Sequence, residues 1–157
     1  SDVYKRQILN GGVKLSSKNV CVIGSGMTGL ETSELLVSQG NKVSVIEMAD
    51  KIAPGAWFQQ LDDALPKLKE ADTKFYTSTK LEDVLPGAIK VLDTVTNTER
   101  EIPCDIVVLS MGVRPDNSLY ESLKSEFGNV YAIGDCVKTG RIVNATEAAY
   151  RLATSLK

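Results

Sequence analysis

The segment from Asn19 to Glu47 constrains the fold more than any other part of the chain. Its sequence, NVCVIGSGMTGLETSELLVSQGNKVSVIE, contains an apolar segment, a glycine-rich turn, a helical segment that stops at Gly40, and a second apolar segment that ends on an acid. The uncharged, β-branched residues 19–23 are typical of a strand that is buried on both faces of a parallel sheet. The segment therefore predicts a β-strand, α-helix, β-strand unit, with its second strand over residues 42–46.

The turn of this unit carries the spacing G-x-G-x-x-G, formed by Gly24, Ser25, Gly26, Met27, Thr28 and Gly29. The first glycine permits a tight turn, the second lets the backbone approach a pyrophosphate, and the third lets the helix lie close to the sheet. The first amides of the helix and the positive end of its dipole then favour phosphate groups. Because strand, turn and helix follow in the required order, the motif favours a dinucleotide site over a packed unit without a ligand.

Glu47 ends the second strand, close to the expected distance of about 20 residues beyond the glycines. A carboxylate at this position can accept hydrogen bonds from both hydroxyls of an adenosine ribose, whereas it repels a 2′-phosphate. The sequence therefore predicts that NAD(H) is preferred over NADP(H). Lys51 follows shortly afterwards and would soften this discrimination.

Beyond this unit, short strands replace the alternation of strand and helix. A helix is predicted over residues 59–70 and a strand over 73–77. Three segments rich in β-forming residues, at 80–85, 88–94 and 98–103, are separated by turn residues and predict an antiparallel β-meander. The apolar segment 105–110 is predicted to return to the parallel sheet. Gly112 follows it, either against a bound cofactor or as a plain turn glycine.

The carboxyl-terminal stretch has the pattern of a second ligand-binding edge. A helix is predicted over 118–125 and a strand over 129–133, with Gly134 and Asp135 at the end of that strand. The next helix is predicted to begin near Asn144, which has capping-box spacing with Glu147. A carboxylate and a helix N-terminus at one sheet edge suit a ligand with hydroxyls and phosphates. The alternative for Asp135 is a turn acid that caps local amides.

Composition excludes several classes of function. Of the 157 residues, 43% are hydrophobic and 24% are charged, with a formal net charge of −2, so nucleic acid is not an expected partner. No apolar run approaches the ~20 residues of a membrane span, so we expect no membrane partner and a cytoplasmic location. The three cysteines form no C-x-x-C motif or metal-ligand cluster, and histidine is absent. We therefore expect no metal site and no catalytic side chain.

Four motifs in this order resemble the pyridine nucleotide-disulfide oxidoreductase-like flavoproteins, a family with two dinucleotide-binding domains. They are VIGSGMTGLE, VSVIE, DIVVLSMGVRP and VYAIGDCVKTGRIVNATEAAY. The resemblance is greatest to the carboxyl-terminal part of old-yellow-enzyme-type NADH:flavin oxidoreductases, the group of 2-enoate and 2,4-dienoyl-CoA reductases. It implies an α/β, Rossmann-like three-layer FAD/NAD(P)-binding fold, in which a parallel sheet with helices is joined by an antiparallel β-meander.

The resemblance also implies roles that spacing alone does not assign. The turn at Gly24 would be the second of the two family fingerprints, which binds NAD(P)H, and the first, which binds FAD, would lie upstream. Glu31 would lie near the nicotinamide end; its alternative is a helix-surface acid held by a neighbouring backbone donor. Asp135 would bond to the ribityl chain of FAD, and the helix after Asn144 would direct its amides at the flavin and the pyrophosphate.

The chain is accordingly expected to be a fragment of a larger enzyme and to be inactive alone. We expect residues 1–7 to be a non-native leader, 8–110 to be an NAD(P)H-binding Rossmann domain, and 111–157 to be the returning part of an incomplete FAD-binding domain. The missing parts would be the rest of the FAD domain and, in larger reductases, FMN and iron–sulfur domains. The expected function is hydride delivery from NADH to FAD. The alternative is a non-catalytic NAD(H)-binding module or redox sensor that a partner chain completes.

Overall fold

In a computed structural model, the chain is described at residues 12, 14–56 and 58–156. The predicted leader, residues 1–7, lies outside the described residues. The described residues up to Gly112 form one compact unit, and those from Val113 onward form a second.

The first unit holds seven strands and two helices among its described residues. The strands are β1 (Asn19–Ile23), β2 (Lys42–Ile46), β3 (Lys74–Tyr76), β4 (Thr79–Leu85), β5 (Ala88–Asp93), β6 (Thr98–Pro103) and β7 (Ile106–Leu109), and the helices are α1 (Met27–Ser38) and α2 (Phe58–Glu70). A parallel sheet has the spatial order β3-β2-β1-β7, and an antiparallel sheet has the order β4-β5-β6. The predicted parallel sheet and β-meander are therefore confirmed.

Strand β1 is apolar throughout its last four residues because both of its faces are covered. Val20 and Val22 pack with Leu36 of α1 on one face of the sheet. Cys21 and Ile23 pack on the other face with Ile89 of β5. Successive side chains of a strand point to opposite faces, so the parallel sheet lies between a helical layer and the β-meander. The predicted three-layer α/β fold is confirmed.

The two helices of the first unit pack against each other. Leu30 of α1, Leu68 of α2 and Ala53 of the loop between β2 and α2 form a buried cluster. Helix α2 continues through Pro66, although proline removes one backbone donor from the helix interior. Leu61 and Leu68 of this helix pack in the cluster that contains Leu30 of α1, and this burial favours the helix despite the lost donor.

The second unit contains α3 (Ser118–Leu123), a 3₁₀-helix (Gly134–Cys136) and α4 (Ile142–Ser155) among its described residues. The strand predicted over 129–133 does not form. The backbone of Ile133 is extended, but no described strand pairs with this segment. The sequence supplied β-forming residues without showing a partner strand, and a strand needs a neighbour for its hydrogen bonds.

The start of α4 also differs from the prediction. The helix begins at Ile142 rather than near Asn144, and Asn144 occupies its third position. There its side-chain Oδ1 accepts a hydrogen bond from the backbone N–H of Arg141 at 2.9 Å. Glu147 pairs with Arg151 one turn further on and does not complete the predicted capping box. The β-branched Ile142 and Val143 have low helix propensity, which is why the pattern indicated a later start.

Every helix in the part of the chain that the structure describes is too short or too polar to cross a membrane.

Candidate functional site

The carboxyl ends of three strands meet at one edge of the parallel sheet. Ile23 of β1 lies opposite Ile46 of β2 on one side and Leu109 of β7 on the other. Strand order reverses at β1, and ligands of open α/β sheets bind outside such an edge at the point of reversal. A pocket of about 410 Å³ lies here, entirely within the first unit. Its lining residues are Ile23, Gly24, Gly26, Ile46, Glu47, Met48, Pro54, Thr79, Lys80, Leu81, Ser110, Met111 and Gly112.

Two of the three motif glycines are required by the fold itself. Gly24 has φ +97°, and an added Cβ would lie 2.4 Å from the carbonyl oxygen of Ser110. Its N–H donates to the carbonyl oxygen of Ile46 at 2.8 Å, which ties the turn to the end of β2. A Cβ on Gly29 would lie 2.1 Å from the carbonyl oxygen of Gly24. Both positions therefore exclude any side chain.

Gly26 is different, because nothing in the described structure requires a glycine there. Its φ of −56° is accessible to any residue. An added Cβ would meet no described atom within 4 Å, and the residue lines the pocket. No side chain of the described residues caps the N-terminus of α1, which Gly26 precedes. The first-turn amides, which have no partner within the helix, thus remain available to a ligand in the open space.

Glu47 is held in place by three hydrogen bonds. Its Oε2 accepts from the backbone N–H of Ser25 at 2.9 Å and from the Ser25 hydroxyl at 2.6 Å. Its Oε1 accepts from the N–H of Ala49 at 2.8 Å. Burial opposes ionisation, but the hydrogen bonds from Ala49 and Ser25, with a smaller effect of the Met48 amide, outweigh it and lower the pKa of Glu47. The carboxylate is therefore anionic near neutral pH.

The acceptor capacity of Glu47 is mostly used within the protein. An ionised carboxylate offers about four lone-pair positions, and the three hydrogen bonds leave one on Oε1. Both ribose hydroxyls would need two acceptor positions on Glu47, and the hydrogen bonds from described residues leave one. Its main chain is equally fixed, since its N–H donates to Tyr76 and its carbonyl accepts from Thr79.

Ser25 does not face the pocket. Its side chain is fully buried, at 0% exposure, beneath the turn. Besides donating to Glu47, its hydroxyl accepts a hydrogen bond from the N–H of Ala53 at 2.8 Å. Ser25 therefore joins the glycine turn, the end of β2 and the following loop.

Of the other predicted residues of the first unit, Gly112 is among the described residues that line the pocket, and Met27, Thr28 and Glu31 are not. Met27 and Thr28 are half-buried in the first turn of α1, and the carbonyl oxygen of Thr28 accepts the hydroxyl of Thr32 at 2.6 Å. Glu31 is exposed on α1, and its side chain has no hydrogen bond or ion pair to any described residue. Gly112 lines the pocket with φ +82°.

Several pocket residues were not predicted from the sequence. Ser110 ends the apolar segment before Gly112. Because ligands bind at the carboxyl ends of parallel strands, its place in the pocket could have been predicted from the sequence. Thr79 and Lys80 come from the β-meander, whose placement over this edge no local pattern reveals. Lys80 forms an ion pair with Glu82 at 2.9 Å, so the pocket wall carries one cation beside the Glu47 anion.

In the second unit, Gly134 lines a separate pocket of about 400 Å³ together with Asn144 at the start of α4. Asp135 is exposed next to it, and its Oδ1 accepts a hydrogen bond from the N–H of Gly140 at 3.2 Å. A local contact of this kind is what the turn-acid alternative expects. The other carboxylate oxygen has no partner among the described residues.

The cysteines form no reactive centre among the described residues. Cys21 and Cys104, far apart in sequence, belong to the same buried cluster. Burial, followed by smaller effects of Cys104, raises the pKa of Cys21 to about 12, and burial also raises the pKa of Cys104. No group of three possible ligands in the described part of the chain could hold a metal ion.

Known proteins are similar in sequence to this chain over most of its length. Residues 4–151 match the family described as pyridine nucleotide-disulphide oxidoreductase. A bilirubin reductase of Mediterraneibacter gnavus (strain CC55_001C) is 33% identical over 150 residues, which cover 91% of this chain and 22% of the relative. A cinnamate reductase of Clostridium sporogenes is 29% identical over 147 residues, which cover 88% of this chain and 21% of the relative. The chain thus spans about a fifth of the length of these relatives.

Solved structures share the fold. The structure of histamine dehydrogenase from Rhizobium sp. 4-9 matches 98% of this chain with a TM-score of 0.79 at 20% identity, over 26% of its own length. The resemblance inferred from the four motifs is confirmed. The chain is an FAD/NAD(P)-type domain region of flavoprotein oxidoreductases, and it belongs to the pyridine nucleotide-disulphide oxidoreductase family.

Proposed function

We propose that the first unit binds NADH and that, within a longer enzyme, it delivers the hydride of NADH to FAD. The observation that carries this proposal is the open space over Gly26. Gly24 and Gly29 are explained by collisions inside the fold, but Gly26 meets no described atom that would exclude a Cβ. Close approach of a ligand to the backbone of the turn would explain why residue 26 is a glycine. A pyrophosphate fits the uncapped amides of α1.

The preference for NADH over NADPH is supported by the charge and position of Glu47. The carboxylate lines the pocket and has one acceptor position left for a ribose hydroxyl. A 2′-phosphate at that point would face an anion whose lowered pKa keeps it charged. Lys80 is the pocket residue that would favour a phosphate, but its ion pair with Glu82 reduces that attraction.

We further propose that residues 8–110 are the NAD(P)H-binding domain and that residues 111–157 are part of an FAD-binding domain. None of the described residues from 113 to 156 is buried, so this unit lacks the core that an independent domain needs. Gly134, Asp135 and the start of α4 would contribute one side of the FAD site, and the rest of the enzyme would supply the other. The isolated chain is therefore expected to retain little FAD, which the flavin absorbance of the purified protein reports.

The redox chemistry in such an enzyme belongs to the two cofactors, which exchange hydride when both are bound. The residues of this chain bind and orient. The turn from Gly24 to Gly29 would hold the pyrophosphate, Glu47 would hold the adenosine ribose, and Glu31 and Gly112 would border the remainder of the dinucleotide. No acid or base of the chain is required.

The test is the affinity of the chain for NADH after Gly26→Ala. The added methyl group occupies the space in which we place the pyrophosphate, so the NADH dissociation constant should rise at least about tenfold, the equivalent of one lost charge-assisted hydrogen bond. Gly128→Ala is the matched control, because its Cβ also meets no described atom within 4 Å. Equal NADH affinity of the wild type and Gly26→Ala would contradict the proposal.

A further inference from the structure

Ser25 lies next to the proposed ligand but cannot touch it. It belongs to the glycine turn, yet its side chain is 0% exposed and is absent from the residues that line the pocket. A serine in a turn of small residues could simply fill space. The hydrogen bonds of its hydroxyl indicate a more specific task.

The Ser25 hydroxyl uses its only proton on Glu47. The 2.6 Å distance between Ser25 Oγ and Glu47 Oε2 is the shortest contact that the carboxylate makes, and the Ser25 amide occupies the same oxygen at 2.9 Å. Both hydrogen bonds to Oε2 thus come from one buried residue. Among the described residues, Oε1 accepts a hydrogen bond only from the N–H of Ala49, and the remaining acceptor position lies on this oxygen.

The same hydroxyl also reaches the loop that borders the pocket. Its oxygen accepts the N–H of Ala53 at 2.8 Å, and Ala53 is 3% exposed with φ +48°, a conformation that needs support from its surroundings. Pro54, the next residue, lines the pocket. Ser25 therefore fixes the acid and the loop beside it with one donor and one acceptor.

We propose that Ser25 is a positioning residue whose buried hydroxyl sets the orientation of the Glu47 carboxylate, and that it thereby determines the preference for a dinucleotide with a free ribose diol over one with a 2′-phosphate. This inference rests on the proposed binding of NADH. It adds that selectivity depends on a residue beneath the pocket and not only on the acid that meets the ribose. Oε1, with its one remaining acceptor position, would stay directed at a ribose hydroxyl only while Oε2 is held.

The test compares Ser25→Ala with Ser33→Ala in the full 157-residue chain. Ser33 is equally buried, and its hydroxyl donates to the carbonyl oxygen of Gly29 at 2.7 Å, away from Glu47. Dissociation constants are measured for NADH and NADPH, and circular dichroism reports folding. Ser25→Ala should weaken NADH binding by about three- to tenfold, part of one charge-assisted hydrogen bond, and change NADPH binding less. Ser33→Ala should leave the ratio of the two affinities unchanged.

A pH profile separates positioning from general loosening of the turn. The hydrogen bonds of Ser25 help to lower the pKa of Glu47, so their loss raises that pKa. NADH binding by Ser25→Ala should consequently decline at a higher pH than in the wild type as pH falls from 7 toward about 4, the ordinary range of a Glu carboxyl. Lys80, the other ionisable side chain among the described pocket residues, is present in every variant.

The nearly isosteric Ser25→Cys provides a second variant if Ser25→Ala does not fold. A thiol is a weak donor, so its NADH/NADPH affinity ratio should lie between those of wild type and Ser25→Ala. Equal losses of NADH and NADPH affinity, or an unshifted pH profile, would overturn the role of Ser25 while leaving the NADH site intact. A wild-type chain that binds neither nucleotide would overturn both the site and this inference.

Discussion

A Cβ atom on Gly29 would lie 2.1 Å from the carbonyl oxygen of Gly24, and one on Gly24 would lie 2.4 Å from the carbonyl oxygen of Ser110. Both obstacles are backbone atoms, which cannot rotate away as the end of a side chain can. The same turn contains Gly26, where a Cβ meets no described atom. At the residue scale, therefore, stability and binding should depend on different glycines of one motif.

We predict that Gly29→Ala lowers the free energy of unfolding by about 3 kcal/mol, the upper range for a side chain forced into a packed site. Gly26→Ala should lower it by no more than about 1 kcal/mol, because the added Cβ meets no described atom and only the poorer N-cap preference of alanine opposes it. Urea denaturation of both variants measures this difference. A Gly29→Ala protein as stable as Gly26→Ala would show that the turn is not packed as described.

The sequence predicted the strand, turn, helix and acid of this site because their spacing follows from local backbone geometry. It did not predict the donors that surround Glu47. Ala49 follows Glu47 closely in sequence, whereas Ser25 belongs to the glycine motif. Only the path of the turn over the end of β2 brings the Ser25 hydroxyl to 2.6 Å from Oε2 of Glu47. The number of hydrogen bonds that Glu47 accepts within the protein therefore depends on the tertiary fold.

At the scale of elements, β1 and the end of β6 approach each other across one face of the parallel sheet. Cys21 of β1 and Cys104, which follows β6, lie in the same buried cluster although 21 and 104 are far apart in the chain. The sequence did not predict that these two residues are neighbours. Proximity of segments so distant in the chain is set by the packing of the β-meander on the sheet, which no local pattern reveals.

We predict that a thiol reagent at about pH 8, near the ordinary thiol range, modifies Cys136 rapidly and Cys21 and Cys104 only after unfolding. Burial raises the pKa of both core thiols, and the thiolate is the reactive form. Cys136 is only partly buried. Counting modified thiols by mass spectrometry, with and without denaturant, measures this. Rapid modification of all three thiols in the native protein would contradict the described core.

At the scale of the whole molecule, buried residues are distributed unevenly. The first unit contains every described buried residue, and residues 113–156 contain none. Large apolar side chains of the second unit are exposed, namely Val113, Leu119, Phe127, Tyr131, Ile133, Val137, Ile142, Val143, Tyr150 and Leu156. Local stability follows buried apolar contact, so the two units should differ in their resistance to opening.

We predict that the amides of α4 exchange with solvent deuterium much faster than those of β1 and β2 in the isolated chain. Few buried contacts oppose local opening of α4, whereas β1 lies in the centre of its sheet. Hydrogen-exchange mass spectrometry resolves the segments, with the exposed strand β6 as an internal reference. Protection of α4 equal to that of β1 would mean that the second unit is stable without further chain.

Our proposal is that the carboxyl edge of the sheet binds NADH in preference to NADPH through Glu47. Its most direct test is calorimetric titration of the wild type, Glu47→Ala and the charge-matched control Glu101→Ala with both nucleotides; Glu101 is an exposed acid of β6. We predict that the wild type and the control bind NADH at least about tenfold more tightly than NADPH, as one charge-assisted hydrogen bond allows, and that Glu47→Ala abolishes the difference. Equal affinity of the wild type for the two nucleotides would contradict this role of Glu47.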